Sequence, residues 1–171
     1  MLYEGKTVLV EDFGKEYTVY FSILSCLARG VKSRAFIEEY LQKEIGGYLT
    51  RMETDFHIIR KQTPLFSKSG NKNVRYEVTD HFLSVWFYFI FPMLDHVETH
   101  QLDALRQGME EGLPAFHNAM LLTCYKHKLR EEGCYTHIGA WWDMFTEEEI
   151  PFIAYNEHTK AVLIAALEGN E

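Results

Sequence analysis

The run "HIIRKQTPLFSKSGNKNVRYEVTD", residues 57–80, decides how this chain is read. Its two ends, 57–66 and 73–80, are strand-like, and the "SKSGNK" between them has the Ser-Gly-Asn composition of a hairpin turn. Working upstream, "IGGYLTRMETDF" (45–56) turns Tyr48, Leu49 and Met52 inward at helical spacing. "SRAFIEEYLQK" (33–43) opens on a serine N-cap, and "EYTVYFSILSCLARG" (16–30) is an apolar helix with a glycine stop. Three short helices followed by a two-stranded hairpin is the order of a winged helix-turn-helix, which is assigned to residues 1–80.

The same stretch gathers cationic charge. From Phe56 to Tyr76 there are five basic residues, Arg60, Lys61, Lys68, Lys72 and Arg75, and no acidic one. A wing with Lys68 and Lys72 near its tip is able to straddle a phosphate backbone. The third helix presents Lys43, Gly47, Thr50 and Arg51 outward, and its glycines permit close approach to a groove. The expected DNA-contacting set is therefore Lys43, Gly47, Thr50, Arg51, Lys61, Lys68, Lys72 and Arg75. Glu38, Glu39, Glu53 and Asp55 lie on the same helices and oppose it, and a protein-docking role for a winged helix stays open.

Charge divides the chain. Residues 1–80 carry 12 Lys and Arg against 11 Asp and Glu, whereas residues 81–171 carry 5 against 14. The acidic second half repels nucleic acid, so any contact with DNA falls to the first. The length of 171 residues and 47% apolar content support one sizeable domain or two small ones. Cys26, Cys124 and Cys134 form no CxxC pair, which points to reduced thiols in a cytoplasmic protein; Cys26 and Cys124 read as buried. The apolar run "FLSVWFYFIFPML" (82–94) is interrupted by Ser84 and Pro92. It is too short for the roughly 20 residues of a membrane span, so a buried helix is expected and no membrane association.

Beyond that run a helix is expected over about 101–111, broken by "GLP" (112–114). A longer helix, "AFHNAMLLTCYKHKLREEG", covers 115–133, and strands follow at about 135–142, 149–156 and 160–167. Trp141 and Trp142 point to opposite faces of the first of these. His96 and His100 have helical ligand spacing, but no glutamate follows His96 as in HExxH, so a helix surface is expected. No Ser-His-Asp context such as GxSxG occurs.

Taken together, "YFSILSCLARGVKSR", "IGGYLTRMETDFHIIRKQTPLF", "NVRYEVTDHFLSVWFYFIFP" and "IGAWWDMFTEEEIPFIAYNEHTK" resemble the C-terminal portion of a prokaryotic AAA+-type ATPase family. There a P-loop ATPase precedes a winged helix and a nuclease-like domain of the PD-(D/E)XK class. The resemblance runs from about Leu2 to Glu168 and implies an α+β protein: a winged helix over 1–80, bridging aromatic helices over 81–114, and a truncated restriction-endonuclease-like α/β domain over 115–171.

The chain departs from that family in three ways. No GxxxxGK(S/T) loop is present to cradle a phosphate. Tyr88 stands where the family's aromatic helix has arginine. The nuclease positions are replaced as well, with Leu122 for a helical glutamate, Pro151 for a strand aspartate, and Ala166 and Glu168 for Glu-x-Lys. Such carboxylates hold a hard cation that activates water. Leu122, Pro151 and Ala166 have no oxygen to offer it, and Glu168 reverses the lysine's charge. Glu149 shares a face with Pro151 but sits about 7 Å along the strand, and it is expected with Glu147 in a solvated turn.

The expected function is thus a non-catalytic module without metal or cofactor, contacting double-stranded DNA through the winged helix. Two alternatives remain: a protein-interaction module beside a separate ATPase, and a residual nuclease with displaced ligands. The apolar strand "AVLIAAL" (161–167) is also expected to offer an edge for pairing with a second copy.

Overall fold

The computed structural model describes residues 4–68, 70, 72–143 and 148–166, with the backbone alone for 4–8. Glu147 and Glu168 lie outside the described residues. By its contacts the chain divides into two units, the first built from 1–62 and 75–112, the second from 63–74 and 113–171. Helices and two small antiparallel sheets make it an α+β protein.

In the first unit, α1 (Glu4–Phe13) leads through a 3-10 turn (Gly14–Glu16) into α2 (Tyr17–Ala28), followed by α3 (Arg34–Leu41) and α4 (Gly46–Thr54). Residues 1–15 carry no helix in the sequence reading, yet Leu9 and Phe13 of α1 are buried and the Phe13 ring stacks on Tyr20 at 4.4 Å. Helix α2 is the core element because its apolar residues cover more than one face. Tyr20, Phe21, Ile23, Leu24, Cys26 and Leu27 are all buried. Gln42 takes a left-handed backbone (φ 51°) that ends α3 and turns the chain towards α4.

The hairpin exists but is shorter than 57–66 with 73–80. Strands β1 (Ile59–Gln62) and β2 (Arg75–Val78) pair antiparallel, Ile59 opposite Val78 and Gln62 opposite Arg75. Next come α5 (His81–Val85), a wide π turn (Trp86–Ile90), a 3-10 turn (Phe91–Met93) and α6 (Leu94–Glu98). Pro92 accounts for the irregularity. It has no N–H to give the Tyr88 carbonyl, and the Phe91 N–H donates five residues back to the Trp86 carbonyl. Asp80 caps α5 by accepting from the Leu83 N–H at 2.9 Å. The buried-helix expectation for 82–94 holds in part: Leu83, Trp86, Phe87 and Phe89 are buried, in a broken rather than regular helix.

Helix α7 (Leu102–Glu132) is continuous. The break expected at 112–114 does not occur, and Pro114 is carried inside the helix. Gly112 is there for room rather than for a stop. A Cβ on it would lie 2.9 Å from a carbon of the Tyr88 ring, and the Tyr88 hydroxyl donates to the Gly112 carbonyl at 3.2 Å. Cys26 is buried as expected, but Cys124 is exposed. The helix turns Leu122, Tyr125 and Leu129 towards its neighbours instead. Helix α6 stops at Glu98, so His96 and His100 do not share a helical face; the His96 Nδ1 pairs with Gln101 at 2.8 Å. Among the described residues, no helix is long and apolar enough to cross a membrane.

The second unit holds a meander, β3 (His137–Trp142), β4 (Glu149–Tyr155) and β5 (Val162–Ala165), antiparallel in the order β3-β4-β5. One face packs with α7 as Phe152, Ala154 and Leu129, joined by Leu122, Ile138, Leu163 and Ala165. The other face receives the 63–74 connection. The Leu65 N–H donates to the Ala140 carbonyl at 2.8 Å, and the Phe66 ring meets Tyr155 at 5.7 Å. The Asn73 amide accepts from the Trp142 indole at 2.9 Å and donates back to its carbonyl at 3.3 Å. Gly139 makes the close fit possible, since a Cβ there would stand 2.9 Å from Leu65 Cγ. Gly139→Ala should lower the unfolding free energy by about 1–3 kcal/mol, the usual range for overpacking. A urea midpoint unchanged from wild type would show that Leu65 yields without loss.

Candidate nucleic-acid interface

Helix α4 is amphipathic: Leu49 and Met52 are buried, while Gly47, Thr50 and Arg51 are exposed. Gly47, Thr50 and Arg51 are three and four positions apart, a spacing that keeps them on one face of the helix, whereas Lys43, expected on the same helix, lies exposed in the non-helical connection before it. Lys61 is exposed on β1, which packs beside α4 in the same unit; the Lys61 N–H donates to the Glu53 carboxylate at 3.3 Å. The structure therefore brings Lys43, Gly47, Thr50, Arg51 and Lys61 into one unit with their polar ends in solvent.

These groups are not equally free. Arg51 lies 3.6 Å from Asp55 and over the Phe56 and Tyr20 rings at 5.5 and 5.9 Å. At the surface such an i,i+4 pair contributes only about 0.3–0.5 kcal/mol, little enough for a phosphate to displace it. The Thr50 hydroxyl donates to the Gly46 carbonyl at 3.0 Å. Lys43 stands over the Tyr48 ring at 5.1 Å, and the hydrogen bond with Tyr48 raises its pKa, so it stays charged near neutral pH. Arg60 is committed to Glu77 across the hairpin, and Arg75 is half-buried.

Lys68 and Lys72 belong to the second unit, within the connection docked on the three-stranded sheet. Both are exposed. Sequence composition marked 67–72 as a turn but gave no sign that Leu65, Phe66 and Asn73 bind that sheet.

Residues that the sequence did not single out, Glu16, Tyr20, Arg34 and Glu44 among them, help to shape the start of α4. An open hollow of about 440 Å³ is bounded there by Tyr20, Tyr48, Gly46 and Gly47, with Arg34 and Arg51 set against Glu16 and Glu44. Arg34 donates through Nε to Glu38 at 2.8 Å, and the same carboxylate oxygen accepts from the Ile45 N–H at 2.9 Å. The Tyr48 hydroxyl donates to Glu16 at 2.8 Å. Burial raises the Tyr20 pKa, against a lowering influence from Arg51. The available clue was "GG" opening a helix with no acidic residue in its first turn.

The bonds to Glu38 have a consequence for stability. Donation from the Ile45 N–H, then from Arg34, holds its pKa below the ordinary carboxylate value. A depressed folded pKa gives stability that is present above the unfolded pKa of about 4.3 and lost as pH falls through the folded value. The melting temperature should fall on acidification below that range, and Glu38→Gln should make the fall shallower. An identical acid profile in the variant would contradict the assignment.

At the nuclease-like positions, the pairing of Phe152 with Ala165 fixes the faces. Leu122 packs into the helix-side cluster with Phe152 and Ala165. Pro151, one residue before Phe152 in β4, falls on the opposite face by alternation, and Ala166 lies just beyond the end of β5. The structure thus leaves Leu122 and Pro151 on opposite sides of the sheet. Glu149 opens β4 opposite Trp142, within a strand rather than in the expected turn. Among the described residues, no group of three or more His, Cys, Asp or Glu is placed to hold a metal ion.

The chain is 28% identical over 184 aligned residues to an uncharacterised protein of Methanocaldococcus jannaschii. The match takes in 99% of this chain and 39% of that protein, so the chain spans well under half the length of its relative. No family model matches the chain. No solved structure matches it.

Proposed function

We propose that this chain is a non-catalytic module that contacts double-stranded DNA through α4 of a winged-helix-like first unit. The observation that carries the proposal is the exposed face of α4 holding Gly47, Thr50 and Arg51, with Lys43 in the connection just before it and Lys61 on the strand beside it. Two lysines and an arginine supply sequence-independent phosphate contacts, and Gly47 keeps the middle of the face low enough for close approach. Because the chain as a whole carries −8, attraction is local rather than long-range. Affinity at physiological salt is then expected in the non-specific range, about 10⁻⁴–10⁻⁶ M. The second unit serves as scaffold or interaction surface, since Leu122, Pro151 and Ala166 provide no metal-binding oxygen.

A gel-shift titration with random-sequence duplex at low salt tests this reading. Binding should weaken steeply as salt rises, with a log–log slope of about −3 if three cations each replace a counterion. Absence of any shift at low salt would reject the DNA reading.

One observation favours a second reading, a protein-docking module that works beside a separate ATPase. Phe36 and Tyr40 lie one turn apart on α3 and are 57% and 77% exposed, and exposed aromatic pairs are common anchors of protein interfaces. On that reading, Phe36→Ala with Tyr40→Ala abolishes partner binding while leaving any DNA affinity intact.

A further inference from the structure

The face of the three-stranded sheet turned away from α7 is only partly covered. Strand pairing sets His137, Tyr155 and Val162 in one row across it, and Gly139, Ile153 and Ile164 in the next. Val162 and Ile164 are each 58% exposed. The connection that crosses this face brings the Phe66 ring to 5.7 Å from Tyr155, at 76°, yet leaves Phe66 65% exposed. The His137 ring lies 6.2 Å from the same tyrosine.

Two residues meet Tyr155 from left-handed backbone. Phe66 has φ 64° and Lys160 has φ 60°, a conformation that glycine adopts without cost and larger residues seldom take. Lys160 closes the turn between β4 and β5, in which the Asn156 side chain accepts from the His158 and Thr159 N–H groups. Glycine would serve that turn better. The lysine instead places its Nζ 3.4 Å from the Tyr155 hydroxyl. Strained residues cluster at ligand-binding surfaces, where the surrounding structure holds them, and here two of them converge on one ring.

The chemistry of the patch narrows the ligand. Phe66 offers an open ring for stacking, and Lys160 offers an ammonium for a phosphate. A second cation, Lys68, is exposed two residues beyond Phe66. The Glu157 carboxylate of the same turn is engaged by His137 Nε2 at 3.4 Å. An apolar partner would make no use of the two lysines, whereas a nucleotide joins a stacking base to a phosphate. The base must be unpaired, because a duplex keeps its base faces stacked on one another.

We propose that this face binds single-stranded nucleic acid, with a base stacked on Phe66 and with Lys160 and Lys68 on backbone phosphates. The residues all belong to the second unit, and the site does not depend on duplex contact by α4. The net charge of −8 confines attraction to the patch. Two neutralised phosphates on a single strand give a log–log salt slope of about −1.4.

The test is an anisotropy titration of the whole chain with a fluorescein-labelled single-stranded oligothymidylate at low salt. Phe66→Ala and Phe66→Leu should each weaken binding by about tenfold, within the range for one stacked base, and Phe66→Trp should retain it. Lys160→Gly removes the ammonium but suits the turn, so the slope should shrink by about 0.7 and the melting temperature should be no lower than wild type. Duplex affinity should be unchanged by Phe66→Ala, which separates this site from α4. No binding of the oligothymidylate, or equal binding by Phe66→Ala and wild type, would overturn the proposal. So would wild-type affinity in Phe66→Leu, which would mark an apolar docking surface for protein rather than a stacking platform.

Discussion

Replacing Lys43 and Arg51 together by alanine should weaken duplex binding on the order of 100-fold at low salt. A hydrogen bond to a charged group contributes about 1.5–3 kcal/mol, so two lost phosphate contacts remove roughly 3 kcal/mol or more. The magnitude of the log–log salt slope should drop by about two, one for each phosphate no longer neutralised. Fold stability should barely change. Both side chains are exposed, and what Arg51 gives up is a surface pair with Asp55 and partial contact with two rings. Fluorescence anisotropy with a labelled duplex and a parallel urea melt separate the two effects. Equal affinity of variant and wild type would remove α4 from the interface.

Phe21→Ala should be the most damaging single change to the first unit, costing about 3–5 kcal/mol of unfolding free energy. Phe21 is 2% exposed, and its ring meets Phe13, Tyr17, Trp86, Phe87 and Phe91 at centroid distances of 5.3–6.1 Å. Those partners come from α1, α2 and the broken aromatic helix, so one truncation loosens three segments at once. A domain is usually stable by only about 5–15 kcal/mol, and the loss is therefore a large share of the total. DNA binding should also fall in this variant, but in step with the folded fraction seen by circular dichroism. A loss below 1 kcal/mol would mean that the aromatic cluster collapses into the gap.

The sequence exposed the parts of this molecule that rest on local periodicity. Helices α2, α3 and α4 and the first strand pair follow from apolar spacing and turn residues within a dozen positions, and they appear in that order. What escaped was set by contacts distant in the chain. Pro92 looked like a mere interruption, whereas it opens a π turn that keeps Trp86 and Phe87 buried. Gly112 and Pro114 read as a stop, but the ring of Tyr88, 24 residues earlier, occupies the space that the glycine leaves.

The candidate site divides in the same way. Gly47, Thr50 and Arg51 were legible because one helix carries them three and four positions apart, and Lys43 because it stands just before that helix. Tyr20 and Glu16 were not, because they reach the head of α4 from α2 and from the turn before it. Lys68 and Lys72 were legible as cations but not as part of the second unit. Asn73 joins that unit through Trp142, 69 residues away, and no short-range pattern records such a pairing.

The most direct test compares two double variants in one anisotropy titration, Lys43→Ala with Arg51→Ala, and Lys68→Ala with Lys72→Ala, both at low salt. If α4 carries the contact, the first pair loses about two orders of magnitude in affinity and the second loses less than about threefold, within the effect of one weak surface charge. A large loss in the second pair with none in the first would place the contact on the 63–74 connection and contradict the account.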